Sequence, residues 1–314
     1  MEIYLPIAEI SVNVFSLIFI GIIAGIIGGL FGVGGSFLGI PLLTSYGIDS
    51  AVLIASYTHQ MITTSFMSLP EDLSQKKISF KLVLLTFVGG SIGSILGSMI
   101  FKYLNIRGQI EFAIAFVYVF VLGGISFFMM RESFVSILKK YLPNSPFTIR
   151  IASAPKEKKE NFILKAMERL PKHVVVSESK SVSIYVIFFF GLCAGLLVAV
   201  AGISSGFIMI PIMIYIYKMH TRMAIATSNV HGGFLVVLSS ILQVVYSHTV
   251  DLVLSIFLAF STAIGTKIAR KFAHKIPGEE LRISMAIIML ILITRIILNI
   301  IFEPSTLVSV SVVH

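Results

Sequence analysis

The chain has 314 residues, of which 56% are hydrophobic and 12% charged, and its formal net charge is +9. Its long continuous apolar runs exclude a soluble protein and predict membrane-spanning helices rather than the alternating strands of a barrel. The single cysteine, Cys193, excludes a disulfide framework and a cysteine metal cluster. Cytoplasmic loops account for the positive charge, so we expect the lipid bilayer as a partner and no nucleic acid.

Eight long apolar segments are predicted to be helices. They are 12–31, 48–69, 80–101, 109–130, 183–200, 223–246, 250–269 and 281–302. No basic residue precedes the first, so we expect a retained span rather than a cleaved signal peptide. Two shorter segments, 37–46 and 207–217, would cross only about half a membrane at about 1.5 Å per residue.

The polar stretch between the halves divides the chain into three parts. We predict a first membrane repeat at 1–130, a basic cytoplasmic loop at 131–182, and a second membrane repeat at 183–314. The loop carries a predicted short helix near 162–170.

Two stretches of the chain align without a gap. Residues 21–41 read GIIAGIIGGLFGVGGSFLGIP, and residues 191–211 read GLCAGLLVAVAGISSGFIMIP. In each, an apolar helix meets a cluster of small residues, followed by a short apolar segment with a proline. A glycine-interrupted segment repeated in two halves is typical of a transporter's binding site. We therefore predict an all-α, polytopic helical membrane protein of two homologous repeats, each with one interrupted helix and one half-helix.

The distribution of Lys and Arg predicts the orientation of these repeats. If each short segment returns the chain to the membrane face it left, 21 basic residues lie on one face of the membrane and 2 on the other, with Arg295 inside a span. Eight simple crossings would divide them 14 to 9. The positive-inside rule favours the first arrangement. It gives an inverted repeat with both termini outside and the central loop in the cytoplasm, and leaves open whether the short segments cross fully.

The two small-residue clusters are the first candidate binding site. Glycine lets a ligand approach the backbone, and the free N–H groups and dipole of a following helix favour an anion. Two such helix starts facing each other would hold one small anion near the midplane, whereas helix packing is the alternative. The candidate residues are Gly32, Gly34, Gly35, Ser36, Gly202, Ser204, Ser205 and Gly206. We assign packing alone to Gly21, Gly25, Gly191 and Gly195.

Polar residues inside apolar spans form the second candidate set: Thr58, His59, Asn229, His231 and Arg295. Such side chains face the protein interior or a cavity. A packing hydrogen bond is the alternative for the first four, and a histidine could also carry a proton. Arg295 could attract an anion or extend to the outer surface.

Sequence motifs for catalysis are not convincing. Gly89 to Gly93 matches G-x-S-x-G, but it lies inside a predicted helix rather than between a strand and a helix. No zinc-protease or Walker A motif is present in the sequence. We therefore expect no metal, no cofactor and no enzymatic activity.

The clusters resemble those of the sulfite exporter TauE/SafE family, whose repeats open with G-x-G-G-G-x-x-x-x-P-x-L or a degenerate form. Residues 32–36 lead to Pro41, Leu42 and Leu43, with Ser36 where the family has glycine; the second copy is more degenerate. The small residues at 55–56 and 226–228 fit the element that follows. The resemblance covers both halves but not the central loop. It implies transport of sulfite or organosulfonate anions.

We expect a secondary transporter in the plasma (inner) membrane that moves a small anion by alternating access. The resemblance implies sulfite, an organosulfonate or a related sulfur oxyanion, and H⁺ or Na⁺ would supply the energy because no ATP-binding unit is recognisable. The alternatives are a channel-like anion facilitator and, less favoured by these residues, a membrane-embedded enzyme or a scaffold. A homo-oligomer, the exact substrate and the direction stay open.

Overall fold

A computed structural model describes residues 2–74, 78–131, 171–177, 180–273, 276 and 278–302. Within them, ten helices and two short hairpins follow one another. The helices are α1 Val14–Phe31, α2 Ser36–Thr44, α3 Ser50–Ser74, α4 Phe80–Ile106, α5 Ile110–Arg131, α6 Ile184–Ala201, α7 Gly206–Ile216, α8 Thr221–Tyr246, α9 Leu252–Ala273 and α10 Gly278–Phe302. The antiparallel hairpins are β1 Glu2–Leu5 with β2 Ile10–Asn13, and β3 His173–Ser177 with β4 Lys180–Ser183.

The predicted helical membrane fold is confirmed. In the described residues, six helices are long and apolar enough to cross a bilayer: α1, α4, α5, α6, α8 and most of α9. Their outward faces carry exposed aromatic side chains such as Phe15, Phe120, Phe189 and Phe260, as expected where lipid covers the surface. The hairpins were not predicted, and the inverted orientation of the repeats stays a prediction.

The two predicted short segments are the short helices α2 and α7. Each begins at the last residue of its cluster of small residues and contains a proline, Pro41 or Pro211. Their first turns meet, because the rings of the equivalent residues Phe37 and Phe207 pack edge to face with centroids 4.6 Å apart. The starts of the two short helices therefore lie next to each other inside the protein.

The first helix of each repeat packs against the fourth helix of the other repeat. An added Cβ on Gly25 of α1 would lie 2.7 Å from the Thr262 Cα of α9, and one on Gly195 of α6 would lie 2.9 Å from the Gly90 Cα of α4. These distances leave room for hydrogen only, so the backbones touch. Gly21, Gly25, Gly191 and Gly195 all lie in these contacts, which agrees with their assignment to packing.

The N-terminal hairpin folds onto the connection between α8 and α9. Leu5 and Val12 are buried, and the Ile7 N–H donates to Asp251 Oδ2 at 2.9 Å. Asp251 is itself fully buried and accepts a second bond, 3.0 Å long, from the Leu254 N–H in the first turn of α9. One carboxylate thus anchors the hairpin and caps a helix.

Most of the predicted central loop, 131–182, and all of its predicted helix at 162–170 lie outside the described residues. The three predicted domain limits therefore stay predictions.

Candidate functional site

A small cavity lies where the two clusters meet, with an empty volume of about 390 Å³ that includes its open part. Both repeats line it, and four of the predicted site residues are in its wall: Gly32, Gly34, Ser204 and Asn229. The other lining residues are Gly28, Gly29, Met61, Thr64, Ser65, Ser68, Ser228, Gly232, Val236, Thr266 and Arg270. They come from α1, α3, α8 and α9.

The turn between α1 and α2 forms one wall of the cavity. Gly34 and Gly35 have φ values of +74° and +72°, which side chains of L-residues rarely adopt. This path folds α2 back against α1, with Gly35 pressed on the Ala24 carbonyl group. Gly34 faces the cavity, where an added Cβ would lie 2.9 Å from Met61 Sδ and 3.4 Å from Ser204 Cβ. The glycine turn of one repeat therefore faces the serine turn of the other.

Residues with hydroxyl groups line the cavity from three helices, and Thr266 is the one from α9. Thr64, Ser65 and Ser68 come from α3, and Ser228 comes from α8. Ser228 is 1% exposed, and its Oγ has no hydrogen-bond partner among the described residues. An unpaired buried hydroxyl is costly, so a hydrogen-bond partner that reached this Oγ would be favoured.

One lining residue, Arg270, belongs to a buried ion pair. Arg270 of α9 donates from Nη1 to Asp72 Oδ1 at 2.9 Å and from Nη2 to Oδ2 at 3.3 Å, and the residues are 8% and 4% exposed. Nη1 also lies 3.6 Å from the Glu71 carboxylate and 3.4 Å from the Ser68 carbonyl oxygen. The Arg270 Nε–H is buried and has no hydrogen-bond partner among the described residues.

Asn229 joins this ion pair to the first glycine cluster. Its Nδ2 donates to Asp72 Oδ2 at 2.9 Å. Its Oδ1 would lie 2.9 Å from a Cβ added to Gly32, at the end of α1. The network therefore connects α1 and α3 of the first repeat with α8 and α9 of the second.

The remaining cluster residues lie behind the cavity wall. Ser36 Oγ is 3.6 Å from Met61 Sδ, and a Cβ added to Gly202 would meet Ile40 and Ile54. Ser205 is buried against Gly232, Gly206 packs on the Gly32 carbonyl oxygen, and Gly35 packs on α1. These contacts support the positions of the lining residues.

The remaining predicted residues in the spans also lie away from the cavity. Thr58 Oγ1 donates to the Ile54 carbonyl oxygen at 2.8 Å, and His59 Nδ1 lies 2.8 Å from Ser240 Oγ. His231 is fully buried and is not a lining residue. Arg295 Nη2 donates to Ser45 Oγ at 2.8 Å, in an exposed contact between α10 and the end of α2.

Sequence reasoning did not select Asp72 and Arg270. Asp72 lies at the polar end of a predicted span, and Arg270 lies between Lys267 and Lys271, so both resemble the charged flanks of membrane helices. No group of three or more His, Cys, Asp or Glu side chains in the described part of the chain could hold a metal ion.

Comparisons with known proteins agree with this architecture. A family model described as Sulfite exporter TauE/SafE matches residues 17–296. A protein of Bacillus subtilis (strain 168), described as "Probable membrane transporter protein YunE", is 26% identical over 233 residues, which cover 71% of this chain and 74% of that protein. No solved structure matches the chain.

Proposed function

Since the chain belongs to the sulfite exporter TauE/SafE family and is a multi-pass membrane transporter, we propose that it carries a small anion by alternating access around the cavity. The family description favours sulfite, an organosulfonate or a related sulfur oxyanion. The observation that carries the proposal is that Gly34 and Ser204, from equivalent clusters, lie next to each other in the wall of one cavity lined by both repeats.

The residues around the cavity suit an anion. The α2 helix begins at Ser36, directly after Gly34 and Gly35, and its N-terminal N–H groups and dipole favour negative charge nearby. The unpaired Oγ of Ser228 and Nε–H of Arg270 are further donors in the same wall. A solute with several acceptor oxygens would satisfy these groups together.

We further propose an inverted repeat with both termini outside. The reciprocal packing of α1 on α9 and of α6 on α4 supports a twofold relation between the repeats. Two contacts each join residues that the charge count places on the same face of the membrane. The Ile7–Asp251 contact joins two outer segments, and the Asp72–Arg270 pair joins two inner ones.

Single-cysteine labelling tests this orientation in a Cys193→Ser background. In intact cells, an impermeant maleimide should label Asn105→Cys and should not label Ser145→Cys in the central loop. Labelling of Ser145→Cys before the membrane is opened would overturn the orientation.

Transport in proteoliposomes tests the function. The purified protein is expected to accumulate labelled sulfite or methanesulfonate above equilibrium when an H⁺ or Na⁺ gradient is imposed, and to discriminate against chloride. Sulfite flux that stops at equilibrium under every gradient would favour a channel-like facilitator instead. Failure to move any of these anions would overturn anion transport.

A further inference from the structure

We infer that Arg270 is the residue that recognises the transported anion, and that the Asp72 carboxylate takes the anion's place on the guanidinium when the cavity is empty. The inference rests on the proposed anion transport. It concerns one lining residue of the cavity, Arg270, and its partner Asp72, and neither belongs to a small-residue cluster.

The geometry of the pair shows which ligand the guanidinium accepts. Asp72 binds with two oxygens, 2.9 Å from Nη1 and 3.3 Å from Nη2. This fork-to-fork arrangement suits any anion with two oxygens at carboxylate-like spacing, and sulfite and sulfonates have such oxygens. A halide offers only one acceptor centre. The carboxylate therefore mimics an oxyanion substrate within the protein.

The guanidinium also has unused capacity beside the cavity. Arginine has five N–H donors, and the Nε–H of Arg270 has no hydrogen-bond partner among the described residues. Ser228 has an unpaired Oγ in the same cavity wall. An oxyanion that bound along the Nη2–Nε edge of the guanidinium would use a donor that Asp72 leaves unpaired, which gives it an advantage over the carboxylate.

The pair does not belong to the packing scheme that the repeats share. Gly93 and Gly265 make equivalent contacts with α6 and α1, and the residues five positions later are Ser98 and Arg270. The Ser98 Oγ donates to the Ser94 carbonyl oxygen of its own helix at 2.8 Å. The equivalent pair, α4 with α6, packs in the same way with the neutral Ser98 at this position. Helix packing alone therefore does not require the charge of Arg270. Buried ion pairs also add little net stability compared with apolar residues.

Displacement of Asp72 would couple binding to movement. Asp72 holds α3 to α9 through Arg270 and to α8 through Asn229. An anion that takes the guanidinium breaks the first contact and leaves the carboxylate without its counter-ion. The link between α3 and α9 is then released while the anion is bound, and the bond from Asn229 still joins Asp72 to α8.

The test measures sulfite affinity of the purified full-length protein by titration calorimetry, with opposite expectations for the two partners. Arg270→Gln should weaken sulfite binding by about tenfold or more, since it removes charge-assisted hydrogen bonds. Asp72→Asn should bind sulfite more tightly than the wild type, because the internal competitor has lost its charge. If the ion pair were purely structural, both substitutions would weaken sulfite binding to a similar extent. That result would overturn the inference.

Two further variants sharpen the measurement. Arg270→Lys keeps the charge but loses the fork, so its preference for sulfite over chloride should fall. Lys271→Gln removes an exposed charge from the adjacent position and should bind sulfite like the wild type. An equal loss of sulfite affinity in Lys271→Gln and Arg270→Gln would show a general charge effect and would overturn the inference.

Stability gives a second readout. Asp72→Asn removes the buried bidentate partner of Arg270 and leaves only the half-exposed Glu71 carboxylate, 3.6 Å from Nη1. Its melting temperature should therefore fall, and should then rise with added sulfite by more than that of the wild type. If the single variants do not fold, the double variant Asp72→Asn with Arg270→Gln has no lone charge and should fold without binding sulfite. Binding like the wild type would overturn the inference.

The results separate the inference from the proposed function. If the wild type binds and transports sulfite or methanesulfonate while Arg270→Gln is unchanged, only the role of Arg270 is wrong. If the wild type binds and transports none of the oxyanions, the proposed function and the inference both fail.

Discussion

Alanine at Gly34 and alanine at Gly35 should have different effects, although the two glycines are neighbours with φ values of +74° and +72°. At either position the alanine must adopt a left-handed backbone, which costs about 1–2 kcal/mol. Gly47, with a φ of +83° and nothing within 4 Å of an added Cβ, measures this cost by itself. Differences from Gly47→Ala therefore report the surroundings of the new methyl group.

The surroundings of the two cluster glycines differ in stiffness. The methyl group of Gly35→Ala would overlap the Ala24 carbonyl group in the backbone of α1, and such overpacking adds about 1–3 kcal/mol. The backbone and overpacking costs together predict that Gly35→Ala lowers the free energy of unfolding by about 2–5 kcal/mol. The methyl group of Gly34→Ala would meet the flexible Met61 side chain at 2.9 Å, so we expect little beyond the backbone cost.

The assay is size-exclusion chromatography of heated detergent extracts, followed by sulfite uptake per folded protein. Gly35→Ala should melt several degrees below Gly34→Ala, and Gly34→Ala should melt close to Gly47→Ala. Gly34→Ala should nevertheless transport more slowly than Gly47→Ala, because its methyl group projects into the cavity. If Gly34→Ala and Gly35→Ala melt at the same temperature, contact with the α1 backbone is not what requires glycine. If Gly34→Ala transports at the rate of Gly47→Ala, the cavity is not the pathway.

Three further predictions concern other parts of the molecule. Gly21→Val should lower the yield of folded protein, because its side chain would collide with Ser261, while the protein that folds should keep the wild-type uptake rate per molecule; a lower rate at normal yield would contradict the packing role. Ser204→Ala should weaken sulfite affinity by about 1 kcal/mol in calorimetry if its hydroxyl donates to the anion, and an unchanged affinity would remove Ser204 from the site. Asp251→Asn weakens the bond from the Ile7 N–H, which is 2.9 Å long. The N-terminal hairpin should then be cut faster at Glu9 by a glutamate-specific protease, and an unchanged cleavage rate would mean that this bond does not hold the hairpin.

Sequence predicted those parts of the structure that depend on local pattern. The duplicated small-residue clusters located both breaks, and the predicted segments 37–46 and 207–217 correspond closely to α2 and α7. The clusters also contained three cavity residues, Gly32, Gly34 and Ser204. Local pattern could not show which side of a cluster faces the cavity, because this depends on how distant helices pack.

The buried ion pair was beyond the reach of sequence for the same reason. Asp72 and Arg270 are 198 positions apart, and each lies where a charged flank is ordinary. Only the packing of α3 beside α9 turns two flanking charges into a buried pair. The N-terminal hairpin was also missed, since its anchor, Asp251, lies 244 positions from Ile7.

The glycine contacts between α1 and α9, and between α4 and α6, imply that the bodies that move during transport are not the two repeats. Each repeat lends its first and fourth helices to pairs completed by the other repeat, with Gly25 against Thr262 and Gly195 against Gly90. A hinge that swung one whole repeat away from the other would have to separate backbones that are in direct contact. We therefore expect each mixed pair, α1 with α9 and α4 with α6, to stay rigid during transport. The two pairs can tilt relative to each other, but the two repeats cannot separate.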